Sequence, residues 1–515
     1  MEQKKTGARG FLSGFSRFTQ GLVGALLALV GAVTLGHGLF FPGQYYVENY
    51  YALVLVLLGL AALFALYLWW GKLRLAWEGS PLAGWAPSPW VGLAVLLAAA
   101  LALRLFVVLQ YQMFPEVDYY TLYHAGAALA EQYDISGLPE LLPRYMALFP
   151  HIFGYASFLS LLFSLFGTAP LVATAANAVL STIALALVYY IGYRLQGHTL
   201  GFLAGLLWCF YPSQIFANLL VTSDPYYTTL LLGAIALLLA LRERFPTRPW
   251  WQLALGGGGA GLLLSLANSA RPVAIIIIIA VAVVVFVIRR PSPGGSLGRQ
   301  ALTAACLLAV YLAGNQLNAW VFTQRVGEPP ASLPGFNLLV GFNPETNGSY
   351  SGADSDLLME WNGREGLTAQ QVQEAMLDAA WDRITSGEVD IPRLFYQKLL
   401  TLWQEDDAPV GYADGVLPHQ HLWVAASNGY YYLLWLLALG AMAVLLRRRA
   451  NAFLYLFPLY LIGLTMAHLL AEVAQRYHYS GNFCLALLAA YGIYQVGKSS
   501  WQKARENNPP REDVL

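Results

Sequence analysis

The sequence carries little charge for its length. Only 11% of its 515 residues are Asp, Glu, Lys or Arg, whereas a soluble domain carries about a quarter. Hydrophobic residues make up 57% of the chain. The 29 basic and 29 acidic residues cancel, so no basic field indicates a nucleic-acid partner. The composition argues against an ordinary soluble protein and predicts one surrounded by membrane lipids.

Cysteine is also scarce. The three cysteines, Cys209, Cys306 and Cys484, lie within apolar runs, which argues against a disulfide framework or a zinc site. The basic residues of 1–17 precede a full-length apolar run with no small-residue cleavage signature. We therefore interpret that run as a retained first helix and not as a signal peptide.

Long apolar runs fill most of the remaining chain. A helix needs about twenty apolar residues to cross hydrocarbon, whereas a closed barrel shows short segments of alternating polarity. The runs therefore predict an all-α polytopic bundle of about twelve transmembrane helices. The predicted spans are 21–40, 51–70, 89–109, 171–193, 199–218, 224–241, 251–268, 272–288, 299–321, 422–446, 452–470 and 481–497.

Basic residues between the runs orient the bundle, because they tend to remain cytoplasmic. They place both termini inside. The basic residues that we assign to the cytoplasmic side are Lys4, Lys5, Arg9, Arg17, Lys72, Arg74, Arg194, Arg242, Arg244, Arg248, Arg289, Arg290, Arg299, Arg447, Arg448, Arg449, Lys498, Lys503 and Arg505. The spans can alternate between inside and outside ends only if the short apolar run 151–167 does not cross. We therefore predict that this run lies along the outer surface or re-enters. Loop 110–170 and the polar region 322–421 then face outward.

The pattern divides the chain into five segments. These are an N-terminal transmembrane hairpin (1–88), a transmembrane module with the external loop 110–170 (89–321), an external loop subdomain (322–421), C-terminal transmembrane helices (422–497) and a cytoplasmic tail (498–515). We expect disorder in the polar tail. In the subdomain, Thr368 to Gln371 predicts a capping box before a helix. Asp390 with Pro392 predicts a second helix start, and the run Gly256 to Gly259 predicts close helix packing.

Three acids are candidates for catalysis or metal binding. Glu116 and Asp118 lie two positions apart outside the third span, before a helical stretch that reaches Ala130. They can share a divalent cation such as Mg²⁺ or Mn²⁺, or one can act as a base while the other orients it. A solvated acid pair is the plain alternative. Asp224, on the same predicted side, is a good helix N-cap and a third candidate metal ligand.

Cations suited to phosphate gather on that side too. Arg271 ends an external hairpin, where it can snorkel to the interface or bind phosphate through two N–H groups. Glu472 to Tyr479 form the last external turn, and polar groups at that depth are a functional hypothesis by default. The candidate substrate-binding residues are Arg271, Arg476, Glu472, Lys398, Tyr477, His478 and Arg144.

These motifs resemble the GT-C superfamily of membrane glycosyltransferases. The nearest type is family 39, which includes protein O-mannosyltransferases and lipid A aminoarabinose transferases, and the resemblance covers roughly residues 89–497. Val117-Asp118-Tyr119-Tyr120 resembles the acidic first external loop, and Thr222-Ser223-Asp224 resembles a second acidic loop. Phe149 to Gly167 resembles a Pro/Gly-led apolar segment, and Glu472 with Arg476-Tyr477 resembles a late E…RY turn.

The resemblance implies an inverting sugar transfer from a polyprenyl-phosphate donor to an extracytoplasmic acceptor. It implies that Asp118 is the base or a metal-linked carboxylate and that Glu116 assists it. Arg271, Arg476 and Lys398 would stabilise the leaving lipid phosphate. The E-x-D spacing differs from the adjacent acids of O-mannosyltransferases and leaves metal dependence open.

Other classes of protein stay open as alternatives. A transporter or lipid flippase predicts charges near the bilayer midplane and an inverted repeat, and the sequence shows neither clearly. An extracytoplasmic acyl- or phosphotransferase would use the same lipid-facing site with a different donor.

Overall fold

The computed structural model describes residues 2–40, 46–78, 80, 88–131, 141–242, 245–288, 296–448 and 451–507. Within these ranges the chain forms helices and no strands, which confirms the predicted all-α class. Four basic residues used for the topology prediction, Arg244, Arg289, Arg290 and Arg449, lie outside the described residues, as does the end of the tail from 508.

The first half of the chain alternates long membrane helices with short connecting ones. They are α1 (Glu2–Phe40), α2 (Tyr46–Glu78), α3 (Pro89–Gln110), α4 (Val117–Ala130), α5 (Leu141–Leu148), α6 (His151–Phe166), α7 (Pro170–Gln196), α8 (His198–Cys209), α9 (Pro212–Phe216), α10 (Asp224–Arg242), α11 (Trp250–Ala270), α12 (Ile275–Ala282) and α13 (Ser296–Val326).

The polar region 322–421 contains only short helices. They are α14 (Gly335–Gly341), α15 (Gly352–Asn362), α16 (Ala369–Thr385), α17 (Ile391–Trp403) and α18 (Ala408–Gly411). Both predicted helix starts are confirmed. Thr368 and Gln371 form a capping box at α16, and the Asp390 carboxylate accepts a bond from the Arg393 N–H at α17.

Three further helices complete the bundle: α19 (Gln420–Arg447), α20 (Leu456–Leu470) and α21 (Asn482–Asn507). The disorder expected after Lys498 is wrong as far as Asn507, because α21 continues through that segment. Ser500 there is buried, and its hydroxyl donates to the Tyr67 carbonyl at 2.5 Å. This contact with α2 holds the polar end of α21 in place.

The predicted spans all fall on helices. In the described part of the chain, nine helices are long and apolar enough to cross a membrane, and α8 with α9, bent by 63°, forms a tenth candidate. The other two predicted spans are the short α12 with its following turn, and α21, which is more polar. Helix α6 is too short for this class, and its lateral or re-entrant placement stays a prediction.

Close helix packing at the glycine run is confirmed. A Cβ placed on Gly257 would lie 2.4 Å from the Thr303 carbonyl oxygen of α13, so only glycine allows α11 to approach α13 this closely. Gly154 has the same role in α6, where a Cβ would lie 2.1 Å from the Ser269 oxygen. The second contact lies at the end of α11, two residues before Arg271.

Candidate active site

The segment between α8 and α10 forms one wall of the site. It departs from helical geometry where α8 ends, and Arg104 of α3 fixes that end. The fully buried Arg104 guanidinium donates to the Trp208 carbonyl at 3.1 Å and to the Cys209 carbonyl at 3.2 Å. Because these carbonyls have no partner within the helix, Arg104 stabilises the bend that directs the chain toward Thr222.

Asp224 begins α10 at the end of this wall. The Asn177 side-chain amide donates to the Leu220 and Thr222 carbonyls at 3.0 and 3.1 Å, which fixes the preceding turn. The Thr222 hydroxyl donates to Asp224 Oδ2 at 2.6 Å, and Arg271 Nη2 lies 2.6 Å from Asp224 Oδ1. Two residues predicted from separate loops therefore form one buried ion pair.

Asp118 lies in the first turn of α4, as the sequence predicts. Its carboxylate pairs with the Arg476 guanidinium although 358 positions separate them in the sequence. The Asp118 side chain is 55% exposed, so solvent and ligands can reach it. Glu116 precedes α4 and is exposed, and its side chain makes no capping hydrogen bond. The structure does not show Glu116 assisting Asp118.

Tyr477 joins the two ion pairs. Its ring centroid lies 5.6 Å from the guanidinium carbon of Arg271 and also 5.6 Å from that of Arg476. Arg476 additionally lies 5.4 Å from the ring of Tyr119. The Nε of each arginine is buried and has no hydrogen-bond partner among the described residues. The site thus holds two neighbouring cations with unused donors.

Glu472 begins the turn that carries Arg476 and Tyr477. Its backbone N–H donates to the Asn337 carbonyl at 2.8 Å, so the turn is attached to the polar region. Burial raises the pKa of Glu472 to about 7, against the opposing effect of Arg476. Glu472 is therefore a group that can change protonation near neutral pH.

A small cavity lies beside the ion pairs, and one of its acids was not predicted from the sequence. The residues that line it are Tyr119, Ser213, Ala217, Leu220, Thr222, Asp224, Asp406, Ala408, Pro409, Arg476 and Tyr479. Asp406 follows α17 within Glu405-Asp406-Asp407. Three consecutive acids in a chain so poor in charge were the sequence signal that could have revealed it.

His478 lies behind this cavity. Its Nε2 is 2.9 Å from Asp406 Oδ1, its Nδ1 is 2.5 Å from the Leu402 carbonyl, and the residue is buried. The imidazole stacks between the rings of Trp403 and Tyr431. His478 therefore contacts the predicted site through Asp406 and does not face it directly.

Two cations predicted to bind substrate have structural partners instead. Lys398 is buried, and its ammonium donates to the carbonyls of Gly341, Leu469 and Ala471 at 2.7, 2.9 and 2.7 Å. Because an ammonium has three N–H groups, no donor is left for a ligand. Burial lowers the pKa of Lys398 to about 7. The assignment of Lys398 to phosphate binding does not fit this geometry.

Arg144 of α5 is the second of these cations. Its Nε donates to Asn362 Oδ1 at 2.7 Å, its Nη2 donates to the Leu367 carbonyl at 2.7 Å, and its Nη1 pairs with Glu328. Arg144 therefore attaches α5 to the polar region, and its guanidinium contacts neither Asp118 nor Asp224. The substrate-binding assignment is not supported at this position either.

The three acids predicted as metal ligands are not assembled into one group. Among the residues that the structure describes, no three or more His, Cys, Asp or Glu side chains are placed to hold a metal ion. Asp118 and Asp224 each bind an arginine, which neutralises the charge that a cation would need. These residues do not fit the predicted Mg²⁺ or Mn²⁺ site, so metal dependence stays a prediction without a site.

No protein-family model and no curated protein matches the chain. Similar solved structures include the archaeal oligosaccharyltransferase AglB from Archaeoglobus fulgidus in complex with an inhibitory peptide and a dolichol-phosphate (TM-score 0.45, 14% identity, 85% of this chain). The chain spans about half, 53%, of the AglB chain. ArnT from Cupriavidus metallidurans bound to undecaprenyl phosphate has a TM-score of 0.37 and 14% identity over 80% of this chain and 79% of its own.

Neither similarity reaches a TM-score of 0.5 or an identity of 25%. The likeness in sequence and in structure is distant. The function of this multi-pass membrane protein is therefore inferred from its own site.

Proposed function

We propose that the chain is a GT-C glycosyltransferase that moves a sugar from a polyprenyl-phosphate donor to a lipid, glycan or protein acceptor. The observation that carries the proposal is the pair of arginines on the ring of Tyr477. Arg271 and Arg476 lie close together, each neutralised by one aspartate, and each keeps a buried Nε–H that has no partner in the described part of the chain. A lipid phosphate would supply the oxygen acceptors that these donors lack.

The arginines suit the leaving group of an inverting displacement. As the acceptor oxygen bonds to the anomeric carbon, the bond from that carbon to the phosphate oxygen breaks, and the phosphate keeps the electron pair. The negative charge that grows on the phosphate is stabilised by guanidinium groups already in place. Arg271 and Arg476 would supply this stabilisation through their N–H groups.

Asp118 would take the proton of the acceptor hydroxyl. In the free protein its carboxylate is occupied by Arg476. A donor phosphate competes for the same guanidinium, so donor binding would release Asp118 as it fills the phosphate site. The exposure of Asp118 allows an acceptor to approach from outside the bundle. Glu116, two residues earlier and exposed, remains a candidate to assist it.

The lipid chain of the donor would lie between helices. A groove beside α3 and α7 is lined by the apolar Val108, Met113, Leu171 and Leu219 and by polar residues such as Gln112 and Thr174. Leu219 adjoins Leu220, which lines the cavity of the site. This arrangement would place the phosphate at the membrane surface, extracytoplasmic by the charge pattern, with both termini cytoplasmic.

Sugar transfer in membranes tests the proposal directly. Radiolabelled polyprenyl-phosphate sugars are supplied to wild type, to Asp118→Asn and to the control Glu131→Gln, which changes an acid at the far end of α4. We expect Asp118→Asn to lower transfer by about a hundredfold or more and Glu131→Gln to leave it unchanged. If a folded Asp118→Asn protein transfers at the wild-type rate, the base assignment is wrong.

The same assay tests metal dependence. Wild-type membranes are treated with a chelator before the donor is added. Unaffected turnover would rule out an essential, exchangeable divalent ion.

A further inference from the structure

The acid–histidine pair at the cavity, Asp406 and His478, has no role in the chemistry described above. Asp406 is 4% exposed, yet it lines the same cavity as Asp224 and Arg476. Its Oδ1 accepts from the Ser213 hydroxyl at 2.7 Å and lies 2.9 Å from His478 Nε2. Its Oδ2 accepts from the Asn482 amide at 3.1 Å. A carboxylate has about four acceptor positions, and these three contacts use three of them. The buried Tyr211 hydroxyl also lies near this carboxylate, so a ligand would compete with it for the fourth position.

Tyr479 supplies a second, independent sign of a ligand. Its side chain is 4% exposed and lines the cavity, and its hydroxyl has no hydrogen-bond partner among the described residues. The Asn482 Oδ1 atom, beside Asp406, is also buried and unpartnered. Buried polar groups without partners are costly. A hydroxylated ligand would satisfy the Tyr479 donor and the fourth acceptor position of Asp406 together.

The charges at the cavity favour a neutral ligand. Asp224 pairs with Arg271, and Asp118 pairs with Arg476. His478 Nδ1 must donate to the Leu402 carbonyl, so one proton remains to be shared between Nε2 and the Asp406 carboxylate. Each pair therefore has no net charge. A phosphate or carboxylate placed against Asp406 would meet an acceptor without a matching donor.

We propose that Asp406 and Tyr479 form the subsite for the donor sugar, and that this sugar is neutral and presents a hydroxyl group to Asp406. The inference rests on the proposed function, since the arginines beside the cavity would hold the phosphate to which the sugar is attached. The cavity now has room for about one water molecule. Sugar entry therefore requires the residues that line the cavity to move apart.

Paired binding measurements on the full chain in nanodiscs test this subsite. The probes are undecaprenyl phosphate alone and undecaprenyl phosphate carrying glucose, mannose, galactose, arabinose or glucuronic acid. We expect wild type to bind one of the neutral-sugar lipids about tenfold or more tightly than the bare lipid, from the added hydrogen bonds. Preference for the glucuronic acid lipid, or for none of the sugars, overturns the inference.

Two variants separate sugar binding from folding. Asp406→Asn should weaken binding of the preferred sugar lipid about tenfold or more while the bare lipid binds as before. Tyr479→Phe removes a hydroxyl that has no partner among the residues the structure describes, so it should weaken binding of the sugar lipid alone without loss of stability. The matched control is Tyr432→Phe, since that hydroxyl is also buried and unpartnered but does not line the cavity.

The outcomes distinguish the two proposals. If Tyr479→Phe binds the sugar lipid like wild type, or if it weakens both lipids equally, the sugar subsite is wrong and the proposed transfer can still stand. If wild type binds neither lipid, the proposed function fails and the subsite fails with it.

Discussion

The four cations predicted to bind substrate divide into two pairs with different partners. Arg271 and Arg476 each face one aspartate, and the Nε–H of each has no partner within the ranges that the structure describes. Lys398 donates to three backbone carbonyls. Arg144 also pairs with a carboxylate, that of Glu328, but its Nε and Nη2 are already used by the Asn362 side chain and the Leu367 carbonyl. All four lie between apolar helices or beside them. The sequence alone therefore does not distinguish the two pairs.

The difference teaches that the partner decides the role of a buried cation. A carboxylate on an arginine can be displaced by a phosphate, because both offer oxygen acceptors to the same fork. A backbone carbonyl at a helix end cannot leave, and it would lose its donor if the cation turned to a ligand. Cations of the first kind suit a binding site, and those of the second kind hold the fold.

The largest expected effect on sugar transfer comes from replacing one arginine of each pair with lysine. Arg271→Lys keeps the charge but loses the planar fork, so we expect transfer to fall about a hundredfold with little change in stability. The matched Arg144→Lys should lower thermal stability and leave the rate per folded molecule unchanged. Transfer assays and thermal unfolding of both purified variants measure this. An equal loss of transfer rate in the two variants would contradict the division of these cations into a substrate-binding pair and a structural pair.

The second prediction concerns the buried lysine. Lys398→Met leaves three buried or half-buried carbonyls without this donor, which we expect to cost about 3 kcal/mol of unfolding free energy. Denaturant unfolding in micelles measures the change, and Lys503→Met, at an exposed ammonium of α21, is the control that should change little. A Lys398→Met protein that is as stable as wild type but unable to bind lipid phosphate would show that Lys398 binds the substrate and does not hold the fold.

The smallest expected effect is a dependence of stability on pH. The pKa of Glu472 is raised from 4.5 to about 7 by burial, so the folded state holds this proton more tightly than the unfolded state. Its contribution to stability is full below pH 4.5 and is lost as the pH rises through about 7. Lys398 has the opposite sign: burial lowers its pKa from 10.5 to about 7, so its contribution to stability is full above pH 10.5 and is lost as the pH falls through about 7.

Glu472→Gln removes the first of these titrations. Relative to wild type, the variant should gain melting temperature as the pH rises from 4.5 to 7. Thermal unfolding across that range measures it. Parallel curves for the two proteins would show that Glu472 does not titrate there.

Local features were predictable because their causes are local. Residue hydropathy over about twenty positions locates a membrane helix without knowledge of its neighbours. The capping box at Thr368 involves a residue only three positions away. The start of α4 at Val117 follows from the same kind of short-range pattern, and so does the placement of Asp118 in its first turn.

The errors arose where a distant partner decides the outcome. The sequence gives no sign that Asp406 meets His478, because 72 positions separate them and α19 and α20 lie between. The sequence also could not show that the Lys398 ammonium donates to three backbone carbonyls from other elements. The tail after Lys498 is polar, as disorder requires, but the hydrogen bond from Ser500 to α2 extends the helix.

The sequence by itself determined that this chain is a polytopic helical membrane protein and which acids and cations could serve a lipid-phosphate site. Hydropathy and side-chain chemistry are properties of single residues and short runs, so they can be assessed without knowledge of the fold. Only the tertiary structure decided which cation pairs with Asp118, which cations hold the fold and that Asp406 shares the cavity. Those outcomes depend on distances of a few ångströms between segments hundreds of residues apart, and only the packing of the helices sets such distances.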